Sequence, residues 1–217
     1  MTTIVAVQGD GWCIVGWDSR ISVTDGEGRA EIHVLAESQR KVVQNGPWLI
    51  GAAGDLRAIN VLSHNFNPPA PRPTLSGQGL DRFVSAEFVP SLREVLEKSG
   101  YAPVIKDHPG KTEFDSELIV AVNGRAYPID GDYSWISDAS GLYAVGSGAH
   151  YALGALTATG WGRSVLTARN SVLKALSVAS RFDPGTGAPF HVATQHQKRR
   201  AGSSRRKNVP RKNRRKQ

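Results

Sequence analysis

Short alternating runs of apolar and polar residues dominate the first third of the chain. "TTIVAVQ" and "WCIVGWD" are rich in β-branched and aromatic residues and enclose "GDG", which predicts an antiparallel hairpin closed by a Gly/Asp turn. The polar run "SRISVTDGEGR" reads as a loop. "KVVQN" and "WLIGAAG" predict a second strand pair across a turn at Gly46 and Pro47. From Asp55 to His64 the period lengthens, with Leu56, Ile59 and Leu62 on one side of a helix. "NPPAPRPTLSGQG" is a proline-rich connection inside one domain, since the strands flanking it are too short to found separate cores. Leu80, Val84, Phe88, Leu92 and Leu96 then recur every four residues, an amphipathic helix reaching Lys98 that Gly100 ends and Pro90 kinks.

The second half repeats the grammar. "ELIVAVN", the turn "NGR" and "AYPID" predict a hairpin, and "LYAVGSGAHYALGAL" a strand whose Gly-Ser-Gly turn opens a helix. Between Arg163 and Phe182, Val165, Val172, Leu176 and Ala179 form another helical stripe, which "DPGTGAPFHVAT" breaks before a last strand. Helices therefore follow groups of strands in pairs. This order predicts an α+β fold of packed antiparallel sheets covered by helix layers, not a parallel sheet with singly alternating helices. There is no internal repeat and no dinucleotide or P-loop fingerprint.

Composition narrows the classes. The 217 residues, 40% hydrophobic, suffice for one well-filled core or two small ones. No apolar run approaches the roughly 18 residues of a membrane helix, and no basic segment followed by an apolar stretch marks a secretory signal, so a cytoplasmic protein without membrane association is expected. Cys13 is the only cysteine, which leaves no internal disulfide, and the six histidines are scattered singly, so no metal site is expected. The net charge of +8 is concentrated at one end: Lys198 to Gln217 holds 11 of the 27 Lys and Arg residues and no acid, leaving 16 basic against 19 acidic residues elsewhere. Residues 1–197 thus read as one mildly acidic domain and 198–217 as a disordered basic tail. The tail has no aromatic residue to stack on bases, so any nucleic-acid contact through it is nonspecific and salt-sensitive; a solubilising role is the alternative.

The candidate chemistry begins at "MTTIV". Loss of Met1, which a small second residue permits, gives Thr2 a free α-amine beside its own hydroxyl. An α-amine has an ordinary pKa of about 7.7 to 8.0 and can take the hydroxyl proton directly or through one water. A neighbouring ammonium would lower that value and favour the neutral base. Taken alone, paired threonines also simply begin strands well.

Five stretches in order, "TTIVAV", "GWDSR", "RKVVQNGPWLIGAAGDLRA", "AVGSGAHYALGAL" and "RFDPGTGAPF", resemble the N-terminal-nucleophile hydrolases of the proteasome β-subunit and HslV type, over nearly all of Thr2 to Thr194. The resemblance implies a four-layer α/β/β/α sandwich and a threonine-type endopeptidase. It makes Thr2 the nucleophile, Asp18 the carboxylate that orients the catalytic lysine and Lys41 that lysine. Two buried charges from neighbouring strands are tolerable mainly when paired. Ser147, Asp183 and Thr186 resemble the polar group around the terminal amine. Gly54 resembles the donor of the oxyanion N–H, a plain tight turn being the alternative, and Ser22 falls where the family binds the substrate backbone. The resemblance further implies homo-oligomeric, stacked rings acting on protein and peptide substrates, with no cofactor in the subunit and ATP entering only through a partner unfoldase.

Several features depart from the family pattern. The loop from Arg20 to Lys41 is longer, "GAAG" is one residue shorter, Thr186 stands for a serine, and the basic tail falls where proteasome subunits continue. With no propeptide expected before Thr2 the chain would be like HslV, while "FDPGTG" is like the proteasome. The competing readings are an inactive ring subunit, a polyanion-binding protein acting through its tail, and an amide hydrolase of small molecules.

Overall fold

The first hairpin forms with its expected register: β1 (Ile4–Gly9) and β2 (Trp12–Asp18) pair antiparallel, Ile4 opposite Trp17 and Gly9 opposite Trp12. The computed structural model describes residues 2–24, 30–101, 116–162 and 164–198. The tail beyond Lys198 and the residue Arg163 lie outside the described residues. Two further strands flank the hairpin, β9 (Leu142–Val145) beside β1 and β10 (Phe190–His196) beside β2, giving a sheet in the order β10-β2-β1-β9. The second sheet runs in chain order, β5 (Val42–Asn45), β6 (Trp48–Gly54), β7 (Ser116–Val122) and β8 (Arg125–Ile129), every neighbour antiparallel. Between β7 and β8 the Asn-Gly turn has both residues at positive φ, Asn123 at 48° and Gly124 at 75°, as a tight hairpin requires.

Strand alternation divides the apolar residues into three layers. On β6 and β7, Leu49, Ala53, Ile119 and Ala121 face Ile4, Ala6, Val15 and Tyr143 of the first sheet in a layer between the sheets. Their alternates Trp48, Ile50, Leu118 and Val120 face outward onto α1 (Leu56–His64), α2 (Gly77–Phe83) and α3 (Val89–Lys98). On the first sheet, Val5, Val7 and Ile14 face α4 (Ala149–Thr159) and α5 (Val165–Phe182). The result is the expected four-layer α/β/β/α sandwich, each sheet buried on both faces. No helix among the described residues is long and apolar enough to cross a membrane.

Two local expectations change. "SRISVTDGEGR" does not stay a loop: β3 (Arg20–Thr24) and β4 (Ala30–Val34) form an antiparallel ribbon. The alternating Ile21, Val23, Ile32 and Val34 supply the β preference that the Gly- and Asp-rich sequence between them obscures. The helix from Leu80 to Lys98 is not simply kinked at Pro90. A π-helical turn, Val84–Phe88, joins α2 to α3 and puts Pro90 at the second residue of α3. The last long helix begins after a capping box in which Ser164 and Thr167 satisfy each other's backbone N–H.

Candidate active site

The alternation of β1 continues backwards from Ile4. Ile4 and Ala6 belong to the layer between the sheets and Val5 and Val7 to the helix-covered layer. Thr2 therefore follows the inter-sheet side and Thr3 the helix side, both buried at 2% and 0% exposure.

Asp18 ends β2 and is fully buried. Its Oδ1 accepts from the Thr3 N–H at 2.9 Å and from Lys41 Nζ at 2.8 Å. Its Oδ2 accepts from the N–H groups of Arg20 and Gly187, each at 3.0 Å. Four donors saturate this carboxylate in a site without water access, the condition under which a buried charge persists. Lys41 immediately precedes β5, and its carbonyl accepts from the Ala52 N–H at 3.2 Å, which fixes it to β6. Its ammonium is fully buried and also donates to the Arg20 carbonyl. Burial pushes the Lys41 ammonium below the ordinary lysine value; the Asp18 carboxylate opposes this, helped by Asp183, while Arg20 adds to the lowering.

The second group approaches from the other end of the first sheet. Ser147 follows β9 in the "GSG" turn, and its Oγ receives the Thr2 N–H at 3.4 Å while donating to Asp183 Oδ2 at 2.8 Å. Asp183 caps α5. Its Oδ2 also accepts from Thr186 Oγ1 at 2.5 Å, and its Oδ1 from the Gly185 N–H at 3.2 Å. Since Thr186 spends its proton on Asp183, the 2.5 Å contact between Thr3 Oγ1 and Thr186 Oγ1 has Thr3 as donor. The glycines of the turn are needed for approach. A Cβ on Gly146, whose φ is +91°, would lie 2.1 Å from the Thr2 carbonyl oxygen, and one on Gly148 would lie 2.1 Å from Thr3 Oγ1.

The structure thus brings together Thr2, Asp18, Lys41, Ser147, Asp183 and Thr186. Gly54 ends β6 at φ +128° just before Asp55, the N-cap of α1, a conformation that glycine alone adopts without strain. The adjacent Ala53 methyl lies 3.1 Å from the position of a Gly146 Cβ, so Gly54 borders the Thr2 end of the sheet. Ser22 lies half-buried on β3 opposite Ile32 and makes no hydrogen bond to the cluster among the described residues. Thr3 escaped the sequence reading although it joins the two carboxylates, its N–H on Asp18 and its hydroxyl reaching Asp183 through Thr186. The doubled threonine was the available signal. The Arg20 carbonyl and the Gly187 N–H act through the backbone and leave no side-chain signature.

The chain matches no family model and no curated protein. Among solved structures it is similar to BPH of Thiobacillus denitrificans, with 19% identity and a TM-score of 0.68 over 90% of this chain and 98% of that one. A structure of Thiobacillus denitrificans BPH in complex with epoxomicin matches at 18% identity and a TM-score of 0.67, covering 91% and 100%. Eukaryotic HslV from Trypanosoma brucei matches at 20% identity and a TM-score of 0.57, covering 89% and 99%. These likenesses establish a proteasome- and HslV-like fold.

Proposed function

We propose that this chain is a threonine-type endopeptidase, the subunit of a self-compartmentalising protease, with Thr2 as nucleophile once Met1 is removed. One observation carries the reading. The nitrogen that would become the free amine meets Ser147, itself held by Asp183, while the buried Lys41–Asp18 pair reaches the next residue along. Lysine is rarely fully buried, and a structural core gains nothing from two such pairings around one chain end.

In this mechanism the Thr2 amine takes the proton from Oγ1, directly or through one water, and the oxygen attacks the peptide carbonyl. The Gly54 N–H donates to the resulting oxyanion. Collapse of the tetrahedral species breaks the C–N bond, the amine's extra proton goes to the leaving nitrogen, and an ester remains on Thr2. Water, deprotonated by the same amine, hydrolyses that ester and restores the hydroxyl. Lys41 favours the neutral amine by its charge, Asp18 holds Lys41, and Ser147, Asp183 and Thr186 fix the amine's position. Ser22 lines the substrate backbone in this reading. All the chemistry comes from the chain itself, without a cofactor.

The similarity of the fold to HslV and to a protein seen in complex with epoxomicin supports the reading. The proposal extends to homo-oligomeric stacked rings in the cytoplasm, fed with protein substrates by an ATP-driven unfoldase, with polyanion contact through the basic tail. The test is peptide hydrolysis by Thr2→Ala and Thr2→Ser variants. Thr2→Ala should lose at least about a thousandfold in kcat/KM, and Thr2→Ser should keep measurable turnover. Equal digestion by Thr2→Ala and the parent would remove the Thr2 mechanism and leave only the architecture.

A further inference from the structure

The alternation of β7 buries Ile119 and Ala121 between the sheets and so assigns Glu117 to the same side, one step nearer the open end. There the expected residue is apolar, and the carboxylate stands out against the pattern. Glu117 is exposed and pairs across the ladder with Ala53 of β6. Its Oε2 accepts from the Gly146 N–H at 2.8 Å, a contact between the two sheets. Gly146 touches the Thr2 carbonyl too closely to admit a Cβ, and the next residue is Ser147, whose hydroxyl receives the Thr2 N–H.

We propose that Glu117 is a positioning residue for the reaction at Thr2: by binding the Gly146 N–H it fixes the turn that aims Ser147 at the Thr2 nitrogen. This rests on the threonine-peptidase reading. The turn needs such a clamp. The pairing of β9 with β1 ends at Val145 opposite Ile4, and Ser147 stands between two glycines, where backbone freedom is greatest. The Gly146 carbonyl is held on the helix side by the Ala149 N–H at 3.0 Å. Glu117 holds the other face of the same residue from the opposite sheet.

The experiment compares the full chain with Glu117→Ala and Glu117→Gln. It reads kcat and KM on an uncharged peptide and, separately, hydrogen exchange of the Gly146 amide by NMR. Glu117→Ala should lower kcat about tenfold with KM nearly unchanged and speed Gly146 exchange by a similar factor. Glu117→Gln, which keeps an acceptor, should recover most of both. Wild-type kcat and exchange in Glu117→Ala would overturn the proposal, as would equal damage in the two variants, which would assign the effect to charge rather than to the hydrogen bond. If the parent chain hydrolyses no peptide, the peptidase reading fails by itself, and Gly146 exchange still decides whether Glu117 holds the turn.

Discussion

Replacing Lys41 by methionine keeps the length and apolar stem of the side chain and deletes its charge. Asp18 then remains fully buried with its three backbone N–H donors, from Thr3, Arg20 and Gly187, and without a cation. Removing one partner of a buried ion pair costs roughly 3–5 kcal/mol. The three surviving donors put Lys41→Met at the lower end, about 3 kcal/mol, or roughly 6–12 °C in Tm for a chain of this size. Denaturant unfolding at one fixed protomer concentration measures it, and a double-mutant cycle with Asp18→Asn should give a coupling of about 2 kcal/mol. The pH dependence supplies a second reading. Burial holds the native Lys41 below its ordinary 10.5, so in the window just under that value the unfolded chain binds more protons than the native one. Stability relative to Lys41→Met should therefore rise with pH through that window and level off above it. A loss under about 1 kcal/mol or no coupling to Asp18 would refute the buried pair, and a relative stability that falls with pH would show that the Asp18 carboxylate, not burial, dominates at Lys41.

Gly146→Ala should abolish activity and destabilise by more than about 2 kcal/mol, because its Cβ meets the Thr2 backbone at 2.1 Å with φ at +91°; thermal unfolding and peptide hydrolysis check it. Thr186→Val keeps the shape but strips the hydroxyl linking Thr3 to Asp183, and should cost about 1–3 kcal/mol by chemical denaturation. The Cys13 thiol is fully buried and its pKa is pushed up to about 12 by burial. It should resist alkylation at pH 8 in the native state and react at once in denaturant, which mass spectrometry reads directly.

Much of this was legible in the sequence where period and turn chemistry agreed. The β1–β2 hairpin, the Asn123–Gly124 turn and the stripe of Leu80 to Leu96 each carry a local signal strong enough to survive packing. The β3–β4 ribbon was hidden because only Ile21 and Val23 on one strand and Ile32 and Val34 on the other carry β preference amid a polar run. The π turn before Pro90 was hidden because a four-residue stripe does not distinguish it from an α-helix. In the site, Asp18 and Lys41 showed themselves only through the family resemblance, since alone they read as a turn-capping Asp and a surface Lys at strand boundaries. Thr3, the Gly187 N–H and the Arg20 carbonyl did not, since a strand-forming threonine and two backbone groups look the same in sequence wherever they point. Glu117 was missed because which face of β7 lies between the sheets depends on a register fixed only by tertiary pairing.

The central claim is that Thr2 works with its own nitrogen as base, and intact mass spectrometry tests it most directly. The purified chain is weighed before and after incubation with a peptide electrophile that closes a ring only on an amine and a hydroxyl of the same residue. The account predicts a mass lacking Met1 and one stoichiometric adduct per chain, located on Thr2 and absent from Thr2→Ala; a chain that retains Met1 and takes up no adduct would contradict it.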